Sequence, residues 1–242
     1  MARRWPAVCA AALALAGCAT RAAPPAAPDV LAQVIGSNVR LRAEREGGAR
    51  RSGSGVVIAS DAASQSSWVV TTRHFLDPAA TQRVWVTAPG VVGRLACRVA
   101  AVSDRADLAL LEVTGAALPA ALTRRSVPLG DDVWIVAYPW GRRLTVVSGI
   151  VSQLESDDDS VPLDGAARMV DASVSYGASG GGVFDRAGRL VGIVESYRTA
   201  KVQLERPSRV VDVPVPGETT VISTAQIVGF LEGLGLARLL RE

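Results

Sequence analysis

The chain has 242 residues, of which 49% are hydrophobic and 20% charged, with a formal net charge of +3. Such a length bounds it to one or two domains, and the apolar share is enough for a sizeable core. So small a positive balance argues against a nucleic-acid partner.

In chain order, residues 1–18 read as an export leader rather than as part of the fold. Arg3 and Arg4 form a basic start, A-V-C-A-A-A-L-A-L-A is an apolar stretch too short to span a membrane, and L-A-G-C ends at Cys18. Removing the leader takes away two arginines and leaves 24 basic against 23 acidic residues, a balance of about +1. Residues 19–29, A-T-R-A-A-P-P-A-A-P-D, are rich in proline and alanine and read as a tether of roughly 30 Å. The folded domain is expected over 30–242.

Its first half, about 30–115, opens with the alternating run N-V-R-L-R-A-E-R and a turn at Gly47 and Gly48. Then come G-S-G-V-V-I-A-S, W-V-V-T-T-R-H, R-V-W-V-T-A and G-R-L-A-C-R-V-A-A-V, a turn at Ser103 and Asp104, and D-L-A-L-L-E-V. Short β-branched runs separated by turn residues predict an all-β barrel or sandwich. Leu95, Cys97 and Val99 alternate with polar or small neighbours, which turns Cys97 toward a core, and a single thiol in the mature domain forms no intrachain disulfide. A-A-L-P-A-A-L-T-R-R-S is the crossover to a second half at about 125–222, built from V-W-I-V-A-Y, a break at Pro139 to Gly141, L-T-V-V-S-G-I-V-S-Q-L, R-L-V-G-I-V-E-S-Y and V-V-D-V-P-V-P. Ser223 or Thr224 can cap a terminal helix over about 223–240, whose Ile227, Phe230, Leu231 and Leu234 follow helical spacing.

One stretch carries chemistry. In D-A-S-V-S-Y-G-A-S-G-G-G-V-F-D, glycines 177, 180, 181 and 182 bracket Ser179. A tight loop there can aim the N–H groups of Gly177 and Ser179 into one hollow, where they would stabilise an oxyanion while the hydroxyl attacks a carbonyl. A serine needs a base and an orienting group. The sole histidine, His74, ends one apolar run, and Asp107 opens another, with Asp104 as its nearby rival. The acidic run Asp157, Asp158 and Asp159 lacks the glycine and glutamate of a calcium loop and reads as a solvated surface, so no metal site is expected. The five tryptophans have no basic neighbours in alternation and suit packing.

The order His74, Asp107, Ser179, together with R-S-G-S-G-V-V-I, P-L-G-D-D-V-W-I-V-A-Y-P-W-G-R-R-L-T-V-V-S-G-I-V-S and G-R-L-V-G-I-V-E, resembles the trypsin-like serine proteases, and within them the HtrA/Deg branch of bacterial envelope proteases. The resemblance implies two six-stranded antiparallel β-barrels closed by a C-terminal helix, a Ser-His-Asp triad, protein or peptide substrates and no cofactor. It also implies a primary pocket walled by Ser173 to Tyr176 and by Ile193, Val194, Glu195 and Ser196. Ser173 stands where an acidic residue would select lysine or arginine, so a small or medium apolar side chain is the expected preference. Departures from the pattern are Ala178 in the serine loop and the lack of a PDZ module after the helix. L-A-G-C in turn resembles a bacterial lipobox, which implies lipid on Cys18, a membrane anchor, and, with Ala19 next, an outer-membrane address facing the periplasm; an ordinary cleaved leader is the alternative. Two other functions share the same features: a catalytically inactive peptide-binding or scaffold protein on this fold, and an esterase using the same acyl chemistry.

Overall fold

In the computed structural model the described residues are 27–45, 48, 50–77, 82–158, 160–204 and 209–240. Cys18 and the tether up to residue 26 lie outside them. The first described element is a helix, α1 (Ala27–Gly36), which takes up the last three residues of the expected tether. Pro28 suits a first helical turn, where its missing N–H has no intrahelical partner to lose. Val30 and Val34, four residues apart, are buried on one face of α1.

Six strands then close the first barrel: β1 (Asn38–Arg45), β2 (Arg50–Asp61), β3 (Ser66–Thr71), β4 (Gln82–Thr87), β5 (Leu95–Val102) and β6 (Ala109–Thr114), in the order β1-β2-β3-β6-β5-β4. Val39, Leu41 and Ala43 of β1 point inward, as the period of two requires, and meet Val57, Val69, Val86, Leu111 and Val113 in its core. Cys97 packs against this core, as its alternation predicts.

The crossover contains one short strand, β7 (Leu122–Thr123), and a second, β8 (Val127–Pro128), follows it directly. The second barrel follows with β9 (Asp132–Ala137), β10 (Thr145–Leu154), the short β11 (Asp164–Gly165), β12 (Ala167–Asp171), β13 (Gly182–Asp185), β14 (Arg189–Leu204) and β15 (Arg209–Ser223). Its order is β13-β9-β10-β12-β15-β14, with β14 closing back on β13 and β7 adding in parallel beside β14. The expected pair of six-stranded barrels is therefore what forms. A third apolar cluster fills the seam between them: Val56, Ile58 and Leu110 from the first barrel meet Trp134, Phe184, Ile193 and Ile222 from the second. Val30 and Val34 of α1 and Ile227 and Leu231 of α2 (Thr224–Gly233) seal its end.

Helix α2 is shorter than the sequence suggests. Ser223 caps its start by accepting from the Gln226 N–H. Gly235, at φ +69°, ends it, with the Leu236 N–H returning to the Leu231 carbonyl and the Gly235 N–H to that of Glu232. Only glycine enters this left-handed conformation cheaply, so the apolar periodicity beyond it cannot continue the helix. Among the described residues no helix is long and apolar enough to cross a membrane.

Strands β14 and β15 are longer than a barrel needs. Their outer parts, residues 199–204 paired with residues 209–214, leave the barrel as a two-stranded ribbon.

Candidate active site

His74 begins a short 3-10 turn (His74–Leu76) immediately past the end of β3, where buried Phe75 and Leu76 pin it to the rim of the first barrel. Asp107 stands just before β6, the strand that pairs with β3. Its Oδ1 accepts the His74 backbone N–H at 2.8 Å and its Oδ2 lies 2.6 Å from the ring Nδ1. An ionised carboxylate only accepts, so Nδ1 carries the hydrogen, and in the neutral ring Nε2 is the nitrogen with the lone pair. Asp107, rather than Asp104, is thus the histidine's partner. Its side chain is 19% exposed against 51% for the histidine, so the pair is open to the cleft on the ring side.

The serine loop approaches from the second barrel and is held by carbonyl contacts. Trans peptides point N–H and C=O in opposite directions, so each held carbonyl fixes where the next N–H looks. The Tyr176 carbonyl accepts from the Trp140 N–H at 2.6 Å, which turns the Gly177 N–H away from that loop. The Gly177 carbonyl accepts from the Ser54 hydroxyl at 2.9 Å. The Ala178 carbonyl accepts from the Gly181 N–H at 2.8 Å, which turns the Ser179 N–H the other way. Among the described residues, the N–H groups of Gly177 and Ser179 have no acceptor. Gly177 sits at φ +89°, and a Cβ there would come 2.8 Å from the Trp140 nitrogen; at Gly180, a Cβ would come 2.1 Å from the Ser54 carbonyl oxygen. Glycine at these positions is required by close backbone approach as well as by φ.

Ser54 was not singled out by sequence reasoning, although it lies in the quoted R-S-G-S-G-V-V-I. Buried on β2, it accepts from the Tyr138 N–H at 2.8 Å while donating to Gly177, and its own N–H donates to the Ser179 carbonyl at 2.9 Å. One residue of the first barrel therefore clamps the serine loop of the second. Trp140 was also missed. It is 63% exposed, holds φ +57° and rests its ring 5.5 Å from that of Tyr176. A side chain in that backbone region costs about 1–3 kcal/mol.

The ring of His74, Ser179, Gly177 and Tyr176 line a common cleft of about 580 Å³ at the mouth of the seam. Among the described residues no hydrogen bond joins the Ser179 hydroxyl to the His74 ring. The expected pocket walls divide. Tyr176 is in the cleft. Ile193 and Val194 are buried in cores, and the backbone of Val194 is spent on the serine loop, donating to the Gly181 carbonyl and accepting from the Gly180 N–H, both at 2.8 Å. Glu195 turns aside to Arg168 at 3.4 Å, and the Ser173 hydroxyl accepts from the Gly217 N–H. Ser196, also expected in the wall, borders the cleft, and Tyr197 and Thr199, further along β14, join it there. A strand buried on both faces shows no alternation from which its orientation could be read. In the acidic run, hydrogen bonds from Ser160 and then Ser156 hold the exposed Asp158 below the usual carboxylate range; Asp159 lies outside the described residues.

Two closed barrels joined by a packed seam, with a His–Asp pair on one and a glycine-bracketed serine on the other, define the chymotrypsin-like class of fold. Residues 53–193 match the trypsin-like peptidase domain, and the chain belongs to that family. It is similar to probable periplasmic serine endoproteases of the DegP-like type. The protein of Pseudomonas fluorescens is 30% identical over 156 residues, covering 63% of this chain and 30% of the relative; that of Brucella suis is 33% identical over 145 residues, covering 58% and 26%. The chain thus spans less than a third of the length of these relatives. Among solved structures, a serine endoprotease of Yersinia pestis superposes with a TM-score of 0.66 at 21% identity, covering 89% of this chain and 68% of that one. The active form of a protease of M. tuberculosis does so at 0.65 and 21%, covering 86% and 84%.

Proposed function

We propose that the protein is a serine endopeptidase of the bacterial envelope, cleaving extended or misfolded protein. The observation that carries this reading is the histidine: Asp107 holds both its backbone N–H and its Nδ1, so that Nε2 is left for the Ser179 hydroxyl across the same cleft. In the reaction, Nε2 takes the Ser179 proton as Oγ attacks the carbonyl carbon and later passes that proton to the leaving amine. The N–H groups of Gly177 and Ser179 stabilise the tetrahedral oxyanion, and water repeats the sequence to release the acyl group. The hydrogen bond between Ser179 and His74 forms as substrate closes the cleft, since apo catalytic contacts are commonly long. Periplasmic naming of similar proteins supports the envelope. Lipid on Cys18, with outer-membrane attachment, is the address we propose on the leader sequence, and mass spectrometry of the mature N-terminus tests it.

The direct test of the chemistry is labelling with a fluorophosphonate. Wild type is expected to label, and Ser179→Ala and His74→Ala are not. A folded wild-type protein that stays unlabelled would point instead to the inactive peptide-binding reading, and turnover of esters with no cleavage of peptides to the esterase.

A further inference from the structure

In the proposed reaction, Nε2 of His74 passes its proton to the nitrogen that leaves, so the leaving half of a substrate runs out beside His74 and over the first barrel. Arg51 stands on that side. Half-buried on β2, it lines the cleft and donates from a terminal nitrogen to the His74 carbonyl at 2.9 Å. A guanidinium carries five N–H donors, so this one bond fixes it in place and leaves others for a ligand. Among the described residues, no carboxylate pairs with Arg51.

Further arginines gather around it. Arg45 donates to the Asp77 carbonyl. Arg40 donates to the carbonyls of Gly141 at 3.4 Å and Arg142 at 3.3 Å, which ties β1 to the turn that carries exposed Arg142 and Arg143. That turn abuts the cleft wall, because a Cβ on Gly141 would run into the hydroxyl of Ser52, the cleft-lining residue next to Arg51. Acids do not balance this group. Arg50 holds Glu44 at 3.0 Å, and His74 holds Asp107 at 2.6 Å. Asp77, the one acid among the described residues lining the cleft, has the Arg45 guanidinium on its own carbonyl, which partly offsets its charge. The whole chain carries only +3, so the excess is a property of this side of the cleft.

We infer that Arg51, with the arginines around it, selects a carboxylate on the leaving side of the scissile bond. The inference rests on the peptidase reading. Preferred substrates carry aspartate, glutamate or their own C-terminus within the first three residues after the cut. Three extended residues span about 10 Å, which brings such a carboxylate within reach of a guanidinium anchored at His74. Arginine meets a carboxylate through two parallel N–H···O bonds, a match that neither a neutral amide nor a cation reproduces. A basic residue at the same place meets repulsion from the whole group, so the arginines reject as well as attract.

The test incubates purified full-length protein with a library of synthetic peptides of varied sequence, each made with a free and with an amidated C-terminus, and locates every cut by mass spectrometry. Cuts followed within three residues by Asp or Glu are expected about fivefold more often than those followed by Asn or Gln, the gain of a partly exposed charge pair. Cuts within three residues of a free C-terminus are expected to exceed those near an amide likewise; a preference confined to one of the two names the source of the carboxylate. Arg51→Gln removes the charge but keeps an N–H donor, and is expected to bring these ratios below about twofold, while Arg51→Lys retains most of the preference. A wild-type ratio near one, or a loss of all cuts in Arg51→Gln with the ratios unchanged, overturns the selection and leaves Arg51 as a brace for the histidine. If wild type cuts no peptide, the peptidase reading falls, and fluorescence anisotropy on the Ser179→Ala protein decides the arginines separately. A labelled peptide with glutamates in its C-terminal half is then expected to bind at least about fivefold tighter than its glutamine twin; equal affinities, or no binding, overturn the inference.

Discussion

Removing the Ser54 hydroxyl tests whether one side chain of the first barrel holds the serine loop of the second. The hydroxyl donates to the Gly177 carbonyl at 2.9 Å and accepts from the Tyr138 N–H at 2.8 Å, and the residue is fully buried. Ser54→Ala leaves both groups without a partner and gives water no access to replace the lost bonds. Each orphaned buried group costs about 1–3 kcal/mol, so the pair costs about 2–6 kcal/mol, with the middle near 4. For a domain of this size each kcal/mol moves Tm by about 2–4 °C, so melting is expected about 8–15 °C lower. Freed of its anchor, the Gly177–Ala178 peptide, which lies between the two proposed oxyanion donors, can turn and carry the loop out of place, and loss of one such donor lowers turnover by about 10² to 10³. Calorimetry reads the first effect, and the fluorophosphonate labelling rate of protein still folded at 20 °C below its own Tm reads the second. A variant melting within about 2 °C of wild type would refute the clamp. A variant that melts early yet labels at the wild-type rate would show that Ser54 serves the barrel seam and leaves the serine loop unaffected.

Trp140→Pro, which removes the N–H bonded to Tyr176 and forbids φ +57°, is expected to slow labelling at least about tenfold. Trp140→Gly keeps the N–H and relieves the left-handed strain, and is expected to label at close to the wild-type rate; equal losses in the two would assign the role to the indole ring. Asp185, buried at the end of β13, accepts from Arg124 at 3.1 Å and from Arg189 at 2.7 Å. Asp185→Ala is expected to cost about 3 kcal/mol, the low end for breaking a buried ion pair, because both guanidiniums keep some contact with water; a Tm unchanged within error would count against this. Burial pushes the Cys97 thiol from its ordinary 9.0 up to about 12. Mass spectrometry after iodoacetamide at neutral pH should therefore find Cys97 unmodified in folded protein and modified after denaturation. The folded state resists ionising this thiol, so the stability it contributes is complete below pH 9.0 and is lost as pH rises toward 12.

Much of the site was legible because its chemistry is written in residue types. A lone histidine, an aspartate opening a strand and a serine among glycines name the candidate reacting groups before any contact is known. The structure brings His74 and Asp107, 33 residues apart, to 2.6 Å. What escaped was held by distant partners. The bond between Ser54 and Gly177 joins residues 123 apart, and nothing local to R-S-G-S-G distinguishes a clamp from a turn. Val194 and Ile193 were expected in the pocket wall, yet their unbroken apolar run is buried on both faces, and the polar residues after it reach the cleft. Helix α1 hid in a proline-alanine segment because its helical state depends on Val30 and Val34 finding a core built by both barrels.

The sequence by itself determined the all-β class, the side chains proposed to react and the points where the backbone must turn. Alternation, β-branching and glycine act through steric preferences that each residue carries with it. Only the tertiary structure decided which N–H groups remain unpaired beside Ser179, which oxygen of Asp107 meets which nitrogen of His74, and that Arg51 reaches the His74 carbonyl. Those outcomes depend on hydrogen-bond partners and burial supplied in large part by segments tens of residues away or more, which no local preference can encode.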